Sequence, residues 1–191
     1  MFVDPTRRLH VGKAPRRSVL PLTDDQAAAI GRAAVTPAQR LVVALVAVHA
    51  ARPAAIRHLL VDDIDLAARR ITLAGRAHQL VDLLHTVLLE WLQERHRRWP
   101  HTPNQHLLVS NITAAGTAPV SDFYLAWHLP EVPLEHLRAD RVLHEAVAVE
   151  ADPLHLVAAF GLSTQTAIDY ADLARALVAR PIEHRPTGSG R

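Results

Sequence analysis

The sequence predicts a mainly α-helical domain that carries a small antiparallel sheet of three strands. Three observations lead there. Close to half of the 191 residues are apolar (49%), and that content is mostly Ala, Leu and Val, residues suited to aliphatic helix faces. Helix-start signals recur along the chain at Thr23, Thr36-Pro37, Asp152-Pro153 and Ser163. Between two helical stretches, a short run around Gly75 alternates apolar and polar residues with the period of a strand.

Taken in order, Thr23 caps a helix to about Ala34 with Asp24 and Asp25 in its first turn, where acids favour the helix dipole. Thr36-Pro37 repeats the signal, and AQRLVVALVAVHAA is apolar on every side, which predicts a central buried helix. VDDIDL reads as a turn. RRITLAGRAHQLVDL then reads as two short strands around Gly75, because Ile71 and Leu73 alternate with polar neighbours. HTVLLEWLQERHRRW is an amphipathic helix with Val87, Leu88, Trp91 and Leu92 on one side, closed by a basic last turn and Pro100. HLLVSN is the expected third strand. After the loop TAAGTAPVSD, Ser121 or Asp122 caps a short helix through Trp127. A long helix follows from Pro133 to about Glu150. Asp152-Pro153 starts another that Gly161 stops, and Ser163 caps the last, to about Ala179. The expected organisation is a basic flexible arm over 1–20, a folded domain over 21–180 and a disordered tail over 181–191.

Composition narrows the chemistry. Formal charge is only +2, yet every one of the 21 basic residues except Lys13 is Arg. Whole-molecule charge is therefore a weak argument for nucleic acid, and local clusters matter more, such as Arg7, Arg8, Arg16 and Arg17 in the arm. The absence of cysteine removes disulfides, thiol chemistry and thiolate zinc sites. The 13 His are scattered; His96, His101 and His106 stand beside Pro100 and Pro103 at a spacing that fits no single helix face, so no metal is expected. No run reaches the roughly 18 apolar residues of a spanning helix, and the first twenty residues lack the apolar core of a signal peptide. A soluble cytoplasmic protein is the expectation.

Three separated segments carry the functional signal: VHAARPAAIRHLLVDDIDL, PLEHLRADRVLHEA and VAAFGLSTQTAIDYADL. In this order and spacing they resemble the catalytic domain of the tyrosine recombinase (phage integrase) family, and PLTDDQAAAI resembles its usual start, so the resemblance covers roughly residues 19 to 180. It implies Arg52 and Arg138 as the two catalytic arginines and Tyr170, after Gly161, as the nucleophile. The chemistry accounts for these residue types. A tyrosine oxygen attacks a phosphodiester in line and stores the bond as a phosphotyrosine, while two always-protonated guanidinium groups bind the charge on the non-bridging oxygens. No metal or nucleotide cofactor is implied. The implied partner is double-stranded DNA, with the protein as a homo-oligomer on it, in DNA recombination or integration, in a mobile-element or nucleoid-associated bacterial setting.

The pattern departs from the family at the accessory groups. The hairpin Lys is absent and Arg76 is the nearest cation; Glu135 stands where the family has His, with His136 beside it; Leu162 replaces a His or Trp; and the interval from Gly161 to Tyr170 is one residue short. Arg76, Glu135 and His136 are thus the accessory candidates. The family's separate upstream helical domain has no counterpart here, which suggests a fragment or a short degenerate member, from a high-GC genome by its Ala, Arg and Leu bias.

Plainer readings use the same residues. Arg52 fits a charge at a helix C-terminus, and Ala167, Tyr170, Ala174 and Leu177 form a stripe that suits a core. A second functional reading takes FGLSTQTAIDYADL as the turn and recognition helix of a helix-turn-helix regulator, with Thr164, Gln165 and Asp169 facing bases. It accounts for Leu162 but leaves Arg52 and the hairpin without a role, and no cation lies between Ser163 and Leu173. A third is a catalytically inactive, recombinase-derived DNA-binding protein with Tyr170 idle. Helices flanking a three-stranded sheet favour a recombinase over a regulator.

Overall fold

A computed structural model of the chain describes residues 21–129 and 133–179. The expected arm, with Arg7, Arg8, Arg16 and Arg17, and the expected tail lie outside the described residues. Within them the chain forms α1 (Asp24–Ala33), α2 (Pro37–His49) and α3 (Pro53–His58), a sheet of β1 (Ile64–Asp65), β2 (Arg70–Leu73) and β3 (Arg76–Gln79), then α4 (Asp82–Arg98), α5 (Asp122–His128), α6 (Leu134–Ala148), α7 (Pro153–Phe160) and α8 (Thr164–Val178). The architecture is mainly helical with a small three-stranded antiparallel sheet, as the sequence predicts.

Local chemistry sets the boundaries. Thr23 and Thr36 each complete a capping box, accepting from the backbone N–H of Gln26 and Gln39 while those amides reach back. The Asp152 carboxylate accepts from the N–H of Leu154, and Ser163 Oγ from that of Thr166. At the other ends, α2 and α7 stop where Ala50 and Gly161 turn left-handed, at φ 49° and 61°. Glycine adopts that conformation freely, whereas alanine does so at a cost of about 1 kcal/mol.

The sheet runs β1-β2-β3 with antiparallel pairing throughout. One expectation is corrected here: the third strand is Ile64–Asp65, paired Ile64 to Ile71, and the 106–111 segment contributes a single bridge between His106 and Leu60. Leu107, Leu108 and Val109 are fully buried, and Trp91 Nε1 donates to the Leu107 carbonyl at 2.9 Å. An apolar run enclosed on all sides carries no strand period, so it reads the same whether it pairs into a sheet or threads a core.

Two apolar cores result. The larger gathers α1, α2, α4, β2 and 107–109; the smaller gathers α6, α7 and α8 around Leu156, Leu162 and a row of alanines, with Ala50 joining it from the end of α2. The central helix α2 packs on α4 on one side and α6 on the other, and so ties the cores together. Leu45, fully buried in α2, is placed to be sensitive. Leu45→Ala should cost about 2–5 kcal/mol in urea denaturation through transfer loss and cavity, whereas Leu154→Ala, at an exposed position of α7, should change stability by less than about 0.5 kcal/mol.

Candidate active site

Each α-helix leaves its last carbonyls without an intrahelical partner, and the electronegative end attracts cations. Two such ends, those of α2 and α7, meet four arginines. Arg138 Nε donates to the Ala50 carbonyl at 2.9 Å, and Arg141 Nε, one turn along α6, donates to the Val48 carbonyl at 3.1 Å. At the end of α7, Arg52 Nη2 donates to the Gly161 carbonyl at 3.2 Å and Arg76 Nη1 to the Val157 carbonyl at 3.4 Å. Arg52 lies three residues past the end of α2 as the N-cap of α3, so the same turn that finishes α2 points it across to α7.

Arg138 lies within electrostatic reach of both Arg52 and Tyr170, residues distant from it in sequence. Burial holds the Arg138 guanidinium below its ordinary range, and the nearby Arg52 charge adds to that; Glu135 and Tyr170 act in the opposite direction. Arg138 Nη2 is buried without a hydrogen-bond partner. Neither Arg52 nor Arg138 forms an ion pair among the described residues. Two cations close together, one with a buried unmatched donor, form a place that an anion would complete.

The other candidates occupy distinct positions. Tyr170 is half-buried on α8 beside Ala167, Ala171 and Ala174, each essentially buried, so its ring packs on the smaller core. Gly161 is crowded by Arg76: a Cβ there would sit 2.6 Å from Arg76 Nη1. Glu135 is exposed on the first turn of α6, and His136 is half-buried with a partner of its own. Thr164 and Gln165 are exposed at the start of α8, where Gln165 Nε2 donates to Asp169 at 3.1 Å. Leu162 is buried in the smaller core. The α7–α8 pair has the local form of a helix-turn-helix, but it is built onto α6 within a larger fold that includes the sheet.

Two imidazoles escaped the sequence reading. His49, in the last turn of α2, lies against His78 on β3 with ring centroids 4.8 Å apart. Burial, the neighbouring His78 and Arg141 together lower the His49 pKa to about 4, and burial with Arg76 lowers that of His78. The strand period places His78 on the same face as Arg76, and that was the one available signal. Arg141 also pairs with Glu145 at 2.8 Å and lies over the Phe160 ring, while His155 Nε2 is 3.0 Å from the other Glu145 oxygen.

Helices around a three-stranded antiparallel sheet, in this order along the chain, give the fold of a tyrosine recombinase catalytic domain. No protein-family model and no curated protein sequence matches the chain. Among solved structures it is similar to the crystal structure of XerA recombinase, with a TM-score of 0.68 and 19% identity over 87% of this chain and 64% of that one. It is also similar to XerH site-specific recombinase bound to difH substrate in a pre-cleavage complex (TM-score 0.61, 17% identity, 83% of this chain and 52% of that one). The XerH post-cleavage complex with palindromic difH gives 0.60 and 15%, over 84% and 51%. The chain thus spans from about half to just under two thirds of the length of these proteins. Among the described residues, no helix is long and apolar enough to cross a membrane.

The buried imidazole predicts a pH dependence. His49 titrates near 4 when folded and near 6.5 when unfolded, so between these values the unfolded chain holds more protons. Its contribution to stability is complete above about pH 6.5 and is lost as pH falls towards 4, by up to about 3 kcal/mol. Urea denaturation of His49→Asn across pH 4–7 should show a shallower fall than the wild type; equal slopes would contradict the assignment.

Proposed function

We propose that this chain is a DNA-binding, recombinase-like domain that cuts and rejoins one strand of duplex DNA through Tyr170. The observation that carries this reading is that Arg138, whose Nη2 is buried and unmatched, lies within electrostatic reach of both Arg52 and Tyr170. Two guanidinium groups with N–H donors to spare suit the non-bridging oxygens of one phosphodiester. Tyr170 Oη forms the new bond to phosphorus as the bond to the 5′ oxygen breaks. The phenol loses its proton, the 5′ oxygen gains one, and attack by a 5′ hydroxyl on the phosphotyrosine reverses the step. Arg76 reaches the same turn, but a guanidinium holds its protons too firmly to act as a good acid; its contribution is charge. Glu135 and His136, in the first turn of α6, are the other accessory candidates. The XerH neighbours are complexes with their difH substrate, which supports duplex DNA as the partner here, with Thr164, Gln165 and the basic arm as further contacts. Recombination in a bacterial cytoplasm, with copies assembled on DNA, is the setting this reading implies.

A second reading, binding without cleavage, is favoured by one observation: Leu162 sits buried in the core at the position where the family carries a His or Trp. A nicked suicide substrate separates the two. The wild type should trap a covalent protein–DNA adduct that Tyr170→Phe abolishes and that Arg52→Ala or Arg138→Ala reduces by about 100-fold or more. Duplex binding that weakens with salt but yields no adduct would leave the non-cleaving protein, and absence of any duplex binding at low salt would remove both.

A further inference from the structure

Beside the place framed by Arg52 and Arg138 lies a cavity of about 500 Å³, walled by Val48 and His49 at the end of α2, Arg76 and His78 on β3, Arg141 and Glu145 on α6, and the end of α7. Its polar groups are unequally committed. Burial pushes the Glu145 carboxyl up, but the hydrogen bonds from Arg141 and His155 outweigh that and leave it below its ordinary range. The carboxylate is thus already neutralised. Arg141 is spent as well, on Glu145 and on the Val48 carbonyl. Arg76 differs: its side chain is exposed, and its one described hydrogen bond is the long one to the Val157 carbonyl. His49 Nε2 is buried with no hydrogen-bond partner, a state that costs about 1–3 kcal/mol for a polar atom.

We propose that this cavity is a seat for one phosphate group, held by the Arg76 guanidinium and the His49–His78 imidazole pair. A carboxylate offers two oxygens, whereas a phosphate offers acceptors in several directions at once, matching the Arg76 guanidinium and the His78 ring on the β3 wall and the His49 ring on the α2 wall. The small side chains of Ala77, Ala158 and Ala159 leave the space open. The anion partners the buried His49 nitrogen and offsets the mutual repulsion of the cations around it. A phosphodiester of bound DNA and a free phosphate share this chemistry. The seat shares Arg76 with the proposed cleavage site, but its occupancy requires neither Tyr170 nor an adduct and is read separately.

The test follows the ring resonances of His49 and His78 by NMR in the full chain. Inorganic phosphate and a short DNA duplex are titrated separately at matched ionic strength. Both rings should shift saturably with phosphate, and the titration midpoint of His49 should move up from about 4. Arg76→Gln should weaken the response about tenfold, the worth of one charge-assisted hydrogen bond. Arg97→Gln, which removes an exposed charge paired with Glu94 at the end of α4, should leave it unchanged. A response to both probes assigns the seat to DNA backbone as well as free anion, and a response to phosphate alone assigns it to a free anion; either supports the seat. Silence of both rings towards both probes overturns it, as does a response that Arg76→Gln does not weaken. A Tyr170 adduct formed while both rings stay silent would remove the seat and keep the cleavage reading; the opposite result would do the reverse.

Discussion

The structure turns on how two helices end. The last carbonyls of α2 and α7 need donors, and the chain meets that need with guanidinium groups from elsewhere in the sequence. Arg138 and Arg141 close α2 from α6; Arg52 closes α7 from the start of α3, and Arg76 on the hairpin adds a longer contact to the Val157 carbonyl, which already accepts the Gly161 N–H. Each arginine is thereby fixed by backbone, not by a carboxylate, except Arg141 with its partner Glu145. This distinction matters for anion chemistry. A guanidinium neutralised by a carboxylate has little left for a phosphate, whereas one oriented by a carbonyl keeps its full charge and its other donors. Local helix chemistry and the gathering of positive charge are thus one arrangement.

Much of the fold was legible because its boundaries are chemical. Thr23, Thr36, Asp152 and Ser163 are side chains whose oxygens serve a nearby N–H, so residue type alone locates them. Gly161 announces a left-handed stop in the same way. What the sequence concealed was set by distant packing. The strand Ile64–Asp65 is two residues long and exists because β2 lies alongside it, while Leu107 to Val109 look like a strand and are instead enclosed beneath α4.

The site divides similarly. Arg52, Arg138 and Tyr170 could be chosen by their order along the chain and by resemblance to a known pattern. That Arg138 leaves a donor buried and unmatched depends on the coordinates of three helices, and no spacing encodes it. The His49–His78 contact joins a helix end to a hairpin, a pairing invisible to periodicity. Its electrostatic effect, two imidazoles held neutral beside arginines, follows from burial first and charge second.

The smaller core is built largely from methyl groups. Ala146 on α6 and Ala167, Ala171 and Ala174 on α8 are all buried, so these two helices are held by closeness of approach more than by bulk. A seam of that kind has no slack. Any added carbon on this row acts as a spacer that lifts α8, and with it the aromatic ring carried on the next face, outward from the arginines. Methyl groups with no chemistry of their own therefore govern how closely α8, and Tyr170 with it, approaches α6.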